Sequence, residues 1–123
     1  MAILTTKLTL TGNNLGGDNI NQTSTASLAV LGQVARQTVV TSGTAAVFVT
    51  AATYTDSYIF LKNKSSVAAE IIHIRSDATS SADIMSIGAG QFAFFPWSSD
   101  ENLVYDAASG SPVLEVLIFQ AAA

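Results

Sequence analysis

The sequence predicts an all-β fold, an antiparallel β-sandwich with an extended N-terminal arm. Three observations predict it. Short runs of β-branched and aromatic residues alternate with a period of two. Turn signals recur about every 8–12 residues, the spacing of sandwiches and barrels. No convincing long amphipathic helix interrupts them.

The elements follow in order. Ala2 to Leu10 sets Leu4, Thr6, Leu8 and Leu10 on one side and Ile3, Thr5, Lys7 and Thr9 on the other. Gly12 to Ser24 is rich in Gly and Asn, so residues 12–24 read as a long loop or arm. Ala26 to Gln37 fits two patterns. Leu28, Leu31 and Val34 have helical spacing, while Leu28, Val30 and Val34 fit a strand broken at Gly32; the strand-like surroundings favour the second. Further strands are expected at Gln37–Thr41, Ala45–Thr50, Tyr58–Asn63, Val67–Arg75, Ala82–Ile87, Gln91–Trp97, Asn102–Asp106 and Val113–Phe119. The segments between them carry residues suited to turns: Gly for positive φ, Asn and Asp for local side-chain hydrogen bonds, Pro for a fixed φ. Short links imply antiparallel pairing, since parallel strands need long crossovers.

A chain of 123 residues reads as one domain spanning 1–123, large enough to bury its own core. It has no cysteine, which removes disulfides, thiolate metal sites and cysteine nucleophiles. Only 11% of its residues are charged and 49% are hydrophobic, against about 25% charged in an average domain. So small a charge supply suggests that partners cover part of the surface. The net charge is −4 and the five basic residues, Lys7, Arg36, Lys62, Lys64 and Arg75, are scattered. Nucleic acid and anionic membranes are therefore poor partners. No apolar run approaches the ~20 residues of a membrane span. The N-terminus lacks a basic start and an apolar core, so a soluble protein made in a cytoplasm is expected.

Several strands are apolar on both sides. Phe92 and Phe94 oppose Ala93, Phe95 and Trp97; Leu114, Val116 and Ile118 oppose Val113, Leu117 and Phe119, with Glu115 breaking the second set. An antiparallel sheet normally buries one face and wets the other. Two apolar faces need two coverings: the domain's own core, and either a folded-back segment such as residues 12–36 or another subunit. Phe95, Trp97, Val113, Leu117 and Phe119 are the residues expected at an oligomer or capsid interface.

Other patterns lead to weaker chemistry. Gly88, Gly90 and Ala93 match a loose dinucleotide fingerprint, but a strand follows where a helix N-terminus is needed, so a hairpin turn is the better reading. His73 is the only histidine; with no second His or Cys a transition-metal site is improbable, and no nucleophile elbow accompanies it. The carboxylates Asp56, Asp77, Asp83, Asp100, Glu101 and Asp106 fall mostly in expected loops. Asp77 to Asp83 and Asp100-Glu101 lack the EF-hand spacing that calcium would favour. Phe94, Phe95 and Trp97 would stack sugars if all were exposed, although core packing is commoner. Asn21-Gln22-Thr23 and Asn63-Lys64-Ser65 match the glycosylation sequon. Neither catalytic residues, cofactor nor metal are expected.

Residues 57–119 carry a resemblance. The run Ile87-Gly88-Ala89-Gly90-Gln91-Phe92-Ala93-Phe94-Phe95-Pro96 and the run Ala108-Ser109-Gly110-Ser111-Pro112-Val113-Leu114-Glu115 resemble segments of small β-sandwich proteins of marine and cyanobacterial tailed phages, capsid cement or decoration proteins among them. The resemblance implies a jelly-roll-like sandwich, often a trimer, seated on the outer capsid against the major capsid protein. It implies no catalytic residue. A tail, connector or fibre-base protein, and a carbohydrate-binding module, are the alternatives.

Overall fold

The computed structural model describes residues 2–54, 56–76, 82–98 and 101–122. By contact the chain divides into two compact units, Met1–Gly32 with Ala121–Ala123, and Gln33–Gln120.

The first unit is built on a β-hairpin. Strand β1 (Ala2–Leu15) pairs antiparallel with the first part of β2 (Asp18–Val40), from Ala2 opposite Val30 to Gly12 opposite Ile20 and again at Leu15 opposite Asp18. Gly16 and Gly17 form the two-residue turn with φ of 64° and 90°. Two successive positive φ values give the turn whose twist matches that of the flanking strands, and they favour glycine. The C-terminal tail adds a bond, Ala122 N donating to Ala29 O at 3.0 Å. The long loop or arm expected at 12–24 is thus mostly strand. Only the two glycines turn; Thr11, Asn21, Gln22 and Thr23 have register partners across the ribbon, whose register shifts between Gly12 and Leu15. Such pairing overrides a weak local preference for loop.

The second unit is the sandwich. It contains the last part of β2, then β3 (Ala46–Val49), β4 (Asp56–Asn63), β5 (Ile72–Ser76), β6 (Met85–Ile87), β7 (Phe92–Ser98), β8 (Leu103–Ala107) and β9, which runs Val113–Ala121. One sheet has the order β2-β9-β4-β7 and the other β3-β8-β5-β6. The pairings β5 with β6, β4 with β7, β3 with β8 and β2 with β9 nest one inside the next, and the contacts of β9 with β4 and β8 with β5 join them into two sheets. This is the arrangement of a jelly roll, and the expected fold class holds.

Period-two alternation aims one face of each sheet inward. Ile59 and Leu61 of β4 with Leu114, Val116 and Ile118 of β9 meet Val49, Ile72, Ile74, Ile87 and Leu103 of the other sheet, all of them buried. Two polar side chains enter this interior and are satisfied there. Thr41 ends β2 by donating both its N (3.0 Å) and its Oγ1 (2.7 Å) to Pro112 O. Asn63 ends β4 with its Nδ2 donating to Glu70 O (2.8 Å) and Ile87 O (3.0 Å), while its Oδ1 accepts from Ser65 N (3.0 Å). That pin explains why β5 starts at Ile72 and not at Val67. Residues 64–70 fold back as a turn, with Glu70 N bonded to Val67 O and Ser65 Oγ bonded to the Glu70 carboxylate.

Candidate functional site: an apolar sheet face

The outer faces of the two sheets differ in chemistry. On the β3-β8-β5-β6 sheet the outward residues include His73, Arg75, Ser86 and Asp106. Arg75 pairs with Asp106 at 2.9 Å and with Asp83 at 3.3 Å. This face is held by charge.

The outer face of β9-β4-β7 is aromatic. Tyr58 and Phe60 of β4 stand beside Phe92, Phe94 and Pro96 of β7 and beside Leu117 and Phe119 of β9. The register sets Phe60 opposite Phe94 and Leu117, and Tyr58 opposite Pro96 and Phe119. The rings stack along the diagonals: Tyr58 with Phe94 at 6.4 Å between centroids, Phe60 with Phe92 at 6.2 Å. Diagonal neighbours in a sheet lie within reach of aromatic side chains. Phe92 remains 56% exposed and Phe94 38%. Lys62 and Glu115, directly opposite one another, bring charge to the end of the patch, and Glu115 also lies 3.6 Å from Lys64.

The five interface residues expected from sequence fall on two sides. Val113, Leu117 and Phe119 lie on the outer face of β9. Phe95 and Trp97 lie on the inner face of β7, packed against the core, their rings edge to face at 6.5 Å. Tyr58, Phe60, Phe92, Phe94 and Pro96 are the members of the outer patch not nominated from sequence. A signal for them exists: in register they share a face with Lys62 and Glu115, and charged residues mark the side that meets water.

No protein-family model and no curated protein matches the chain. Among solved structures it is similar to a Bacillus endospore appendage of a family of disulfide-linked pili, with 14% identity over 76% of this chain and 90% of that one, at a TM-score of 0.48. This chain has no cysteine, and so weak a likeness carries no argument about function.

The remaining sites resolve on geometry. His73 Nδ1 faces both Ser86 Oγ (2.9 Å) and Asp83 Oδ2 (3.3 Å). A catalytic triad needs the hydroxyl and the carboxylate on opposite ring nitrogens, so this trio is not one. Gly88-Ala89-Gly90 is a tight turn before β7, with Gln91 N bonded to Gly88 O and φ of 76° at Gly90. A sugar platform of Phe94, Phe95 and Trp97 does not form, because Phe94 points away from the other two. Asn63 of the second sequon is buried and fully engaged, whereas Asn21 is exposed on β2. Of the two acidic stretches weighed for calcium, residues 77–81 and 100 lie outside the described residues. Among the described residues no group of three or more His, Asp or Glu is placed to hold a metal, and no helix is long and apolar enough to cross a membrane.

Proposed function

We propose that this chain is a non-enzymatic structural protein of a phage virion, a capsid cement that seats its aromatic sheet face on the outer surface of the major capsid protein. The observation that supports this reading is the outer patch itself. Phe92 and Phe94 are half-exposed on a rigid sheet already filled on its other side. Exposed apolar patches on folded domains mark interaction surfaces, and aromatic side chains dominate the energetics of such contacts. Repeated attachment to identical sites needs no chemistry: a protein that binds the assembled shell better than its free subunits stabilises the shell by mass action. The resemblance of residues 57–119 to cement proteins points the same way and favours a homotrimer on the capsid surface.

The test adds purified protein to capsids that lack it and measures co-sedimentation. Phe92→Ser with Phe94→Ser should weaken attachment by at least about tenfold, while near-UV circular dichroism from the inner Trp97 stays unchanged. Unaltered attachment by that variant sinks the assignment of this face. In virions, a copy number comparable to that of the capsid protein supports cement. A few copies per particle moves the reading to a tail or connector part.

A further inference from the structure

The β1–β2 ribbon of the first unit has two unlike faces. Thr5, Lys7, Thr9 and Thr11 of β1 share one with Thr23 and Thr25 of β2. The other carries Leu4, Leu8 and Leu10 of β1 and Ile20, Leu28 and Val30 of β2. At the base of the ribbon Leu4 and Leu28 are half-buried and Val30 is buried. Towards the turn Leu8, Leu10 and Ile20 are 44%, 52% and 43% exposed. A two-stranded ribbon is marginally stable in water without a cover.

The shape of that distal face indicates its cover. Leu8 lies opposite Ser24 and Leu10 opposite Gln22. At Leu8 and Leu10 the bulk therefore stands as a ridge on β1, beside a trough of smaller or more flexible side chains on β2, and next to the turn it crosses to Ile20 of β2, opposite Gly12. Residues 6–12 and 20–26 include one charge, Lys7, and it lies on the other face. A face without charge is not tuned to an oppositely charged partner, and it carries no like-charge penalty against itself. A ridge beside a trough fits a second copy under one class of symmetry. An axis running along the strands carries β1 of one copy over β2 of the next, ridge into trough. An axis across the strands lays ridge on ridge.

We infer that the ribbon is a self-association element: its distal apolar face packs on that of a neighbouring copy of this chain, turns pointing the same way, with Leu8 of one copy over Ser24 of the next and Leu10 over Gln22. Two or three copies close around such an axis, and three accommodates the trimer proposed above. Seven residues at about 3.4 Å each, two strands wide, give a footprint of roughly 250 Å². That is well short of the ~800 Å² per partner of a standard interface. The ribbon therefore sets orientation and adds affinity to a larger contact.

Cross-linking of the full chain in solution, without capsids, tests this. Chains carrying Leu8→Cys and chains carrying Ser24→Cys, separately tagged, are co-expressed and mildly oxidised. The expected product is a disulfide between the two kinds of chain, with little between two Leu8→Cys chains. Abundant Leu8→Cys homodimer, or no cross-link at all, overturns the proposal. Both positions are exposed, and intrinsic Trp97 fluorescence checks that the sandwich is intact. Leu8→Ser with Leu10→Ser should weaken self-association by at least tenfold in sedimentation equilibrium; an unchanged constant is equally damaging. A free chain that stays monomeric rejects this inference and leaves the capsid test of Phe92 and Phe94 standing, so the two readings fail separately.

Discussion

At the scale of single residues, stability rests on a few polar groups placed where the strands turn. Asn63 is buried, and its side chain makes three bonds to Glu70, Ile87 and Ser65. Removing it strands the buried carbonyl of Ile87 and the part-buried one of Glu70, each costing about 1–3 kcal/mol or somewhat less where water reaches it. Asn63→Ala should therefore lose roughly 2–4 kcal/mol in urea unfolding. Asn63→Asp should lose more, because a carboxylate would face those same carbonyl oxygens. Gly110 makes a second such point. Its φ is +64°, and a Cβ there would collide with the Glu70 carboxylate. Gly110→Ala combines that clash with a left-handed conformation that costs about 1–2 kcal/mol for a residue with a side chain. In a Glu70→Ala background the penalty should fall to the conformational part alone. An equal penalty in both backgrounds would show that the carboxylate simply swings aside.

At the scale of elements, period two made most strands legible, and the positions of β4, β7, β8 and β9 follow the apolar alternation closely. Two segments were not legible for physical reasons. Gly12 to Ser24 has the composition of a loop, yet its pairing partner lies only a turn away and holds it extended. Val67 to Ile71 alternates like a strand, yet the buried Asn63 amide captures Glu70 O and bends the segment. For the candidate site, the sequence disclosed that β7 and β9 have two apolar faces but not which face of β7 is covered, since Phe92 and Phe95 are chemically alike. Pro96 shows what an edge requires. β7 is the outermost strand of its sheet. Asn63 N bonds to Gln91 O, so odd-numbered residues of β7 face β4 and even-numbered ones face outward. Pro96 thus removes a donor from the open edge, a recognised guard against edge pairing. Pro96→Thr should keep the monomer fold and raise the rate of concentration-dependent aggregation, read by light scattering. Unchanged aggregation would mean that the edge is protected by other means.

At the scale of the whole chain, the order of the sheets was beyond the sequence, because many strand orders satisfy the same alternation. The nested pairing of the sandwich carries a consequence for how it forms. β5 and β6 are joined by the shortest span, and each later pair encloses the one before. Closing a loop costs more as it lengthens, and a formed inner pair shortens the effective loop of the next. Formation from β5–β6 outward, with β9 joining late, is the cheaper route, and a topology this non-local should fold in milliseconds to seconds or more slowly. Ile87 of β6 and Ile118 of β9 are both buried, so Ile→Val at either should cost about 1 kcal/mol, enough for a reliable comparison of folding and unfolding rates. The Ile87→Val change should appear mainly in the folding rate and Ile118→Val mainly in the unfolding rate. The reverse result would place the nucleus at the β4–β9 pairing, where Ile59 meets Ile118, and the two sheets would then grow from their centre and not from their innermost hairpin.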